Sequence, residues 1–282
     1  MLKDFHYGLR SLIKHPMFTA VCVVTLALGI GANTAIFTVV NAVVLRPLPF
    51  EDAERLAMIW TTKDTNQEQS LSFADYNDLK NQTKSFSAVG AASPLWNFTL
   101  TGGPEPEPLQ GMYVSANMFE LLRVSPERGR NFNADEDRIG GPPVAIISHG
   151  LWERRFGGEP EIVGKPITLS GVTGTIIGVM PANFQLLDPA AEVWVPLSQN
   201  QFAASARNVR LLSAVGRLAD NLKPAAANSE LNTIASQWAG QYPDSNSGIG
   251  MRVVPLHQQV TGKFRPALLL LLGAVGLVLL IA

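Results

Sequence analysis

From Met17 to Leu45 the chain runs 29 residues without one charged side chain. A helix of about 20 apolar residues is enough to cross the roughly 30 Å hydrocarbon core of a bilayer, so this run spans with a turn or two to spare. A second uncharged run opens at Pro266 and continues to Ala282, which places the end of the sequence inside a second span. Between them lies a module of 220 residues, Arg46 to Arg265, long enough for one large or two small domains with real cores. The basic residues Lys3, Arg10 and Lys14 ahead of the first run would also suit a secretory signal peptide. Signal h-regions, however, occupy about 7 to 15 residues, and this run is roughly twice that.

The flanks set the orientation. The arm Met1 to Pro16 carries three basic residues against the single acidic Asp4 and so belongs in the cytoplasm. Arg46 to Arg265 holds 19 basic and 22 acidic residues, a net charge of −3, and a loop of that length crosses largely regardless of charge. The module is expected outside, or in a periplasm. Leu2, Phe5, Leu9, Leu12 and Ile13 recur at helical spacing, which fits either an amphipathic helix lying in the membrane interface or a basic flank continuing the span. Cys22 is the only cysteine and falls in the span, so no intrachain disulfide can form. The scattered basic residues form no nucleic-acid patch.

Within the module the patterns alternate. Leu56 to Thr62 reads as a strand, and Ser72 as the N-cap of a helix that carries Phe73, Tyr76 and Leu79 on one face and ends near Gln82. Gly102 to Pro108, with three prolines and two glycines, is the expected domain boundary. Met112 to Val114 is extended, and Ser115 caps a helix through Leu122. Pro143 to Ile147 is a buried strand, followed by Ser148 as the cap of a helix through Phe156. Ile167 to Leu169 and Thr175 to Val179 flank a hairpin turn, Ser170 to Gly174. Val193 to Val195 and Val209 to Leu218 are extended. Pro224 opens a helix with the stripe Leu231, Ile234, Ala235 and Trp238, and Met251 to Val254 is a final strand. The class is α+β.

Catalytic motifs fail on specific residues. The nearest approach to a phosphate-binding loop has Glu159 where the first glycine belongs and Pro166 at the hydroxyl position, so the chain is not expected to bind ATP itself. Ser148 sits in a sequence resembling a nucleophile elbow, but Ile146 replaces the required glycine. His149 and Glu153 lie four apart without further ligands. Asn133, Asp135 and Asp137 imitate a calcium loop whose sixth and twelfth positions are Arg138 and Val144. No catalytic, cofactor or metal residue is expected.

In the first span Ala27, Gly31 and Ala35 recur every four residues and form a small-residue face on which another helix can pack closely. Asn33 and Thr34 are the polar pair in its middle, expected to point toward protein.

Leu26 to Phe37, then Leu45-Arg46-Pro47-Leu48-Pro49, resemble the first span of the MacB-like and FtsX-like ABC transporter permeases, most of all the duplicated orphan permeases described from Acidobacteria. The resemblance continues through Gly129-Arg130, Ser148 to Trp152, Arg155 to Gly158, Gly178 to Pro181, Trp194 to Leu197, Gly216-Arg217-Leu218 and the closing Leu272 to Ala282. It implies a periplasmic core over residues 46–265, following a cytoplasmic arm (1–16) and a first span (17–45). That core would hold an α/β porter-like subdomain (47–108 and 206–262) with an inserted β-rich subdomain (109–205). A truncated second span (266–282) would close the chain. Gly174 departs from the pattern, where a larger residue is expected.

The resemblance further implies a non-enzymatic permease subunit of the bacterial inner membrane, multi-pass when complete. A separate cytoplasmic ABC ATPase would drive its periplasmic part for export or efflux. Its partners would be that ATPase, a second permease unit (a homodimer or duplicated half), periplasmic or outer-membrane proteins, and membrane lipid. A membrane-anchored sensor or scaffold has the same topology and is the alternative reading. An anchored hydrolase is the weaker one, for want of an acid, base or nucleophile constellation.

Overall fold

The computed structural model describes residues 16–40, 48–63, 67–103, 105–200 and 207–262, with isolated positions between 267 and 277. Two compact units result: Met1–Leu48 with His257–Ala282, and Pro49–Leu256. In the first, helix α1 (Pro16–Val40) contains a stretch, Pro16–Thr38, of mean hydropathy 2.0 that is long and apolar enough to cross a membrane. Met17, Phe18, Leu28 and Phe37 stand exposed around it, an arrangement that suits hydrocarbon rather than water. Residues 41–45 of the expected span and the arm 1–15 lie outside the described residues. So does most of the second span, whose described positions are helical.

The second unit begins with β1 (Leu56–Lys63), the short strands β2 (Gln67–Gln69) and β3 (Leu71–Ser72), helix α2 (Phe73–Gln82) and β4 (Phe86–Ala92). It then runs through β5 (Trp96–Thr101), β6 (Glu107–Val114), α3 (Met118–Leu121), β7 (Arg128–Gly129), β8 (Val144–Ile147) and α4 (His149–Phe156). The remainder is β9 (Pro166–Leu169), β10 (Val172–Val179), β11 (Val193–Pro196), β12 (Arg210–Leu218), α5 (Pro224–Gln241), α6 (Pro243–Asn246) and β13 (Ile249–Pro255). Helix α7 (Leu256–Thr261) follows directly.

Strands β4, β12, β1 and β13 lie side by side in that order, every neighbour antiparallel. With α2 between β1 and β4 and α5 between β12 and β13, this is a βαββαβ unit of ferredoxin-like type. Period-two alternation presents Ala57 and Ile59, Val89 and Ala91, Leu212 and Ala214, and Met251 and Val253 to one core. Tyr76 and Leu79 of α2 and the stripe Leu231, Ile234, Ala235 and Trp238 of α5 pack into the same core, as their helical spacing predicts. Each buried Val, Leu, Ile or Met among them contributes about 1.5–3 kcal/mol.

Everything from β5 to β11 is inserted between β4 and β12. Six of these strands close a ring, β6–β5–β9–β10–β8–β11 and back to β6. A second hydrophobic cluster fills part of this barrel, with Leu100, Leu109, Ile147, Ile176 and Val193 among its members. Gly102–Pro108, expected as a boundary, instead connects two paired strands, with Leu100 opposite Glu107 and Trp96 opposite Gly111. Proline and glycine mark a tight connection and a linker alike, and only strand pairing tells them apart. Strands β4 and β5 carry Gly90 and Asn97 between their apolar residues, and the sequence pattern announces neither strand.

Local signals hold where the chain satisfies its own backbone. Ser72 accepts from Asp75 N and Ser148 from Leu151 N, each capping the expected helix. Ser115 does not cap: its hydroxyl accepts from Ala91 N and donates to Asn117, so it pins β4 to β6, and α3 begins only at Met118. The hairpin turn contracts to Ser170-Gly171, both at positive φ, which matches the twist of paired strands and lengthens both. Gly174 is small by necessity, since a Cβ there would meet Pro143 O at 2.7 Å.

The free edge of β13 is blocked. Asn228 and Asn232, one turn apart on α5, accept from the edge amides of Val253 and Met251. An open edge would otherwise template pairing with another chain. Replacing both asparagines by alanine is expected to cost about 1–3 kcal/mol for each donor stranded and to raise self-association, as checked by thermal unfolding and by size-exclusion chromatography with light scattering.

Candidate functional site

The residues that could have carried chemistry have structural tasks. His149 Nδ1 lies 2.6 Å from Glu127 Oε1 and its ring meets Trp152 edge-on, so it joins α4 to the strand-β7 segment rather than pairing with Glu153. Asn133 and Glu136 bond reciprocally, each side chain taking the other's amide, while Arg130 clamps Glu136. Asp137 accepts from Ala116 N and Ser198 N, stitching two loops together. Lys165 pairs with Glu159. Among the described residues no group of three His, Cys, Asp or Glu side chains is placed to hold a metal ion.

The geometry concentrates instead where the chain enters and leaves the module. Ala57 at the start of β1 lies directly opposite Pro255 at the end of β13, so the two connections leave from adjacent strand ends. Arg217, only 4 % exposed, fixes the incoming segment: its guanidinium donates to Glu51 O, Asp52 O and Leu121 O at 3.0, 3.2 and 2.8 Å. Burial and then the neighbouring positive charges of Arg123 and Arg55 pull its pKa down. Arg123 binds the side chains of Glu51 and Asp52, and Arg55 reaches Leu218 O and Asp220. The outer pairs are solvent-facing and contribute about 0–1 kcal/mol each. Bonds to a buried charge contribute about 1.5–3 kcal/mol, so Arg217 dominates.

A second clasp holds the point where the chain returns from the barrel. Asp75 is fully buried, and its carboxylate accepts from Arg207, Arg210 and Asn246 at 2.7, 2.7 and 3.0 Å. Arg207 also pairs with Asp78 and stacks over Tyr242 at 3.8 Å, while Arg210 donates to Ser245 O. Helix α2, the start of β12 and α6 are thereby joined through one carboxylate. Sequence reasoning missed Asp75, Arg207, Arg210 and Arg217, because isolated charged residues spaced this far apart give no periodic signal. The available cues were Asp75's place in the first turn after the Ser72 cap and Arg217's place in the resembling run Gly216-Arg217-Leu218.

On α1, Ala27, Gly31 and Ala35 are all exposed. Asn33 Nδ2 donates to Gly29 O and Thr34 Oγ1 to Ile30 O, and Thr25 and Thr38 follow the same pattern. Each returns its donor to the carbonyl one turn back, which lowers the cost of carrying it through an apolar medium.

An apolar helix followed by a ferredoxin-like unit that carries an inserted barrel defines a membrane-anchored two-part module. The chain belongs to the MacB-like periplasmic core domain family, whose model matches residues 19–234. It is therefore, at the level of the family, an ABC-type permease and a membrane protein with a periplasmic segment. A permease-protein domain from Porphyromonas gingivalis superposes with a TM-score of 0.56 at 14% identity, covering 74% of this chain and 92% of that one. The periplasmic region of MacB from Actinobacillus actinomycetemcomitans gives 0.54 at 13%, covering 76% and 94%. The extracellular domain of the noncanonic ABC-type transporter YknZ from Gram-positive bacteria gives 0.51 at 17%, covering 71% and 99%. At these identities the likeness is one of fold. No curated protein matches by sequence.

Asp75→Ala removes the buried carboxylate that two partly buried guanidinium groups share and is expected to cost about 1.5–3 kcal/mol, read by denaturant unfolding. Double-mutant cycles with Arg210→Ala should show strong coupling. Burial opposes the charges of Glu136 and Glu230, yet Arg130 and the amide of Asn133 on the first, and Ser85, Lys84 and Thr83 on the second, hold both carboxyls below 4.5. A pKa depressed by folding contributes stability that is full above the unfolded value and lost as pH falls through the folded one. The melting temperature should therefore begin to drop below about pH 4.5, with a shallower slope in Glu230→Gln.

Proposed function

We propose that the chain is the permease subunit of an ABC-type transporter, itself without catalytic activity, which couples ATP hydrolysis by a separate cytoplasmic ATPase to movement of its periplasmic module for export or efflux. The observation that carries this reading is the pairing of Ala57 with Pro255 beside the Arg217 clasp. A displacement applied to either connection is delivered to neighbouring strands of one hydrogen-bonded sheet, and a packed sheet moves as a unit rather than deforming. In this reading α1 is the transmitter, with its N-terminus in the cytoplasm and the complete protein multi-pass in the inner membrane. The ferredoxin-like unit is the porter-like subdomain, and the inserted subdomain is the barrel, beginning at Trp96 rather than at residue 109. Ala27, Gly31 and Ala35 form the face that packs against a second permease unit, with Asn33 and Thr34 beside it. Periplasmic or outer-membrane proteins would meet the outward surface of the module.

Affinity purification of the membrane-extracted chain, with mass spectrometry and an ATPase assay on the eluate, tests the proposal. A P-loop ATPase is expected, with turnover that depends on this chain. Arg217→Ala should retain the ATPase while weakening its response to the periplasmic module. Gly31→Leu should lower recovery of a second, differently tagged copy about tenfold, as expected for about 1.4 kcal/mol of lost helix packing. Recovery of this protein alone or with a signalling kinase, without ATP turnover, would put the sensor or scaffold reading in its place.

A further inference from the structure

Small β-barrels are normally filled by their own side chains, because the interior of even eight strands is only wide enough to hold them. This six-stranded ring is filled at one end only. Leu100, Leu109, Ile147, Ile176 and Val193 occupy that end, with Leu151 and Trp152 of α4. The other end holds a cavity of about 680 Å³ to which β5, β6, β8, β9, β10 and β11 all contribute lining residues. A space lined by every strand of a closed ring lies on its axis, so this is the barrel lumen. On β8 and β10 the lining includes small residues. Ala145 supplies one methyl group, and Gly174 is held to a bare backbone by the approach of Pro143 O.

The chemistry of the lining is specific. Trp96, Phe98 and Tyr113 form an aromatic wall, with Tyr113 5.9 and 5.5 Å from the other two rings. Among the described residues that line the lumen, none is charged. Its polar side chains, Asn97, Ser170, Ser198 and Gln199, are neutral. The mouth is apolar as well: Val172 is 60 % exposed on the lining, and Ile139, beside the lining Gly140, is 79 % exposed.

We propose that the lumen of this barrel binds an uncharged, apolar small molecule, its body against Trp96, Phe98 and Tyr113. The volume lies within the range of about 300–1,000 Å³ typical of small-molecule sites. Enclosure by six strands favours such a molecule over a macromolecule, and the uncharged lining excludes an ion, whose desolvation nothing there would offset. The assignment stands whether or not the chain is coupled to an ATPase.

The test uses the full chain in lipid nanodiscs and benzophenone, a neutral aromatic ketone that is also photoreactive. After irradiation, adducts are mapped by mass spectrometry. Saturable labelling is expected on Trp96, Phe98, Tyr113 and Val172. Non-saturable labelling of α1 through the lipid serves as internal reference. Val172→Arg, at an exposed position that folding tolerates, should lower barrel labelling about tenfold, a loss of about 1.4 kcal/mol in binding, and leave α1 labelling unchanged. Excess unlabelled decanol or naphthol should compete, the former marking acyl-chain preference and the latter preference for flat rings. Barrel labelling that fails to saturate, is indifferent to Val172→Arg, or yields only to a hydrophobic peptide would overturn the proposal.

Discussion

The whole module depends on one pairing, that of β4 with β12. Ser213 lies opposite Ala92 and Leu218 opposite Phe86, although some 120 residues, including a closed barrel, separate the two strands in sequence. Closing so long a loop costs entropy that local contacts cannot return, and this register must offset it. Ser115 reaches across to Ala91 N, Asn117 to Val89 O, and Ser93 to Tyr113 N, so polar bonds set the register of the junction from both sides. The apolar core of α2 and α5 against the sheet then supplies the bulk of the stabilisation.

With one cysteine in the chain and none in the module, an exported domain has to be fastened without disulfides. Buried charges do part of that work. Asp75 and Arg217 are costly to desolvate, and each is tolerated because three hydrogen bonds meet its charged group. Their positions matter more than their energies. One sits where the chain comes back from the barrel, the other where it first enters the sheet, the two points at which an inserted domain and a membrane anchor would otherwise pull the structure apart.

The division between a solid end and an open end of the barrel follows from similar reasoning. Leu151 and Trp152 are packed against the barrel's hydrophobic cluster by α4, whose direction is fixed by the Ser148 cap and by the Trp152 Nε1 bond to Glu159 O. Among the described residues no helix lines the opposite mouth. The backbone approach at Pro143 keeps Gly174 bare, so the space persists.

Local chemistry made part of this visible in advance. The uncharged run announced the membrane helix, the serines before Phe73 and His149 announced two caps, and the four-residue spacing of Leu231, Ala235 and their neighbours announced α5. Each signal is complete within a few residues, because a helix satisfies its own backbone. That Gly102 to Pro108 joins two paired strands instead of marking a boundary, the role of Ser115 and the strands β4 and β5 were not visible, since strands are satisfied by partners distant in sequence. Sequence alone determined the class of chain: a membrane helix, an α+β module and no catalytic motif. Only the tertiary structure decided that the β-rich insertion closes into a ring with an empty half, and that Asp75 and Arg217 are the buried charges around which the chain is fastened, because ring closure and charge burial are properties of pairing across space.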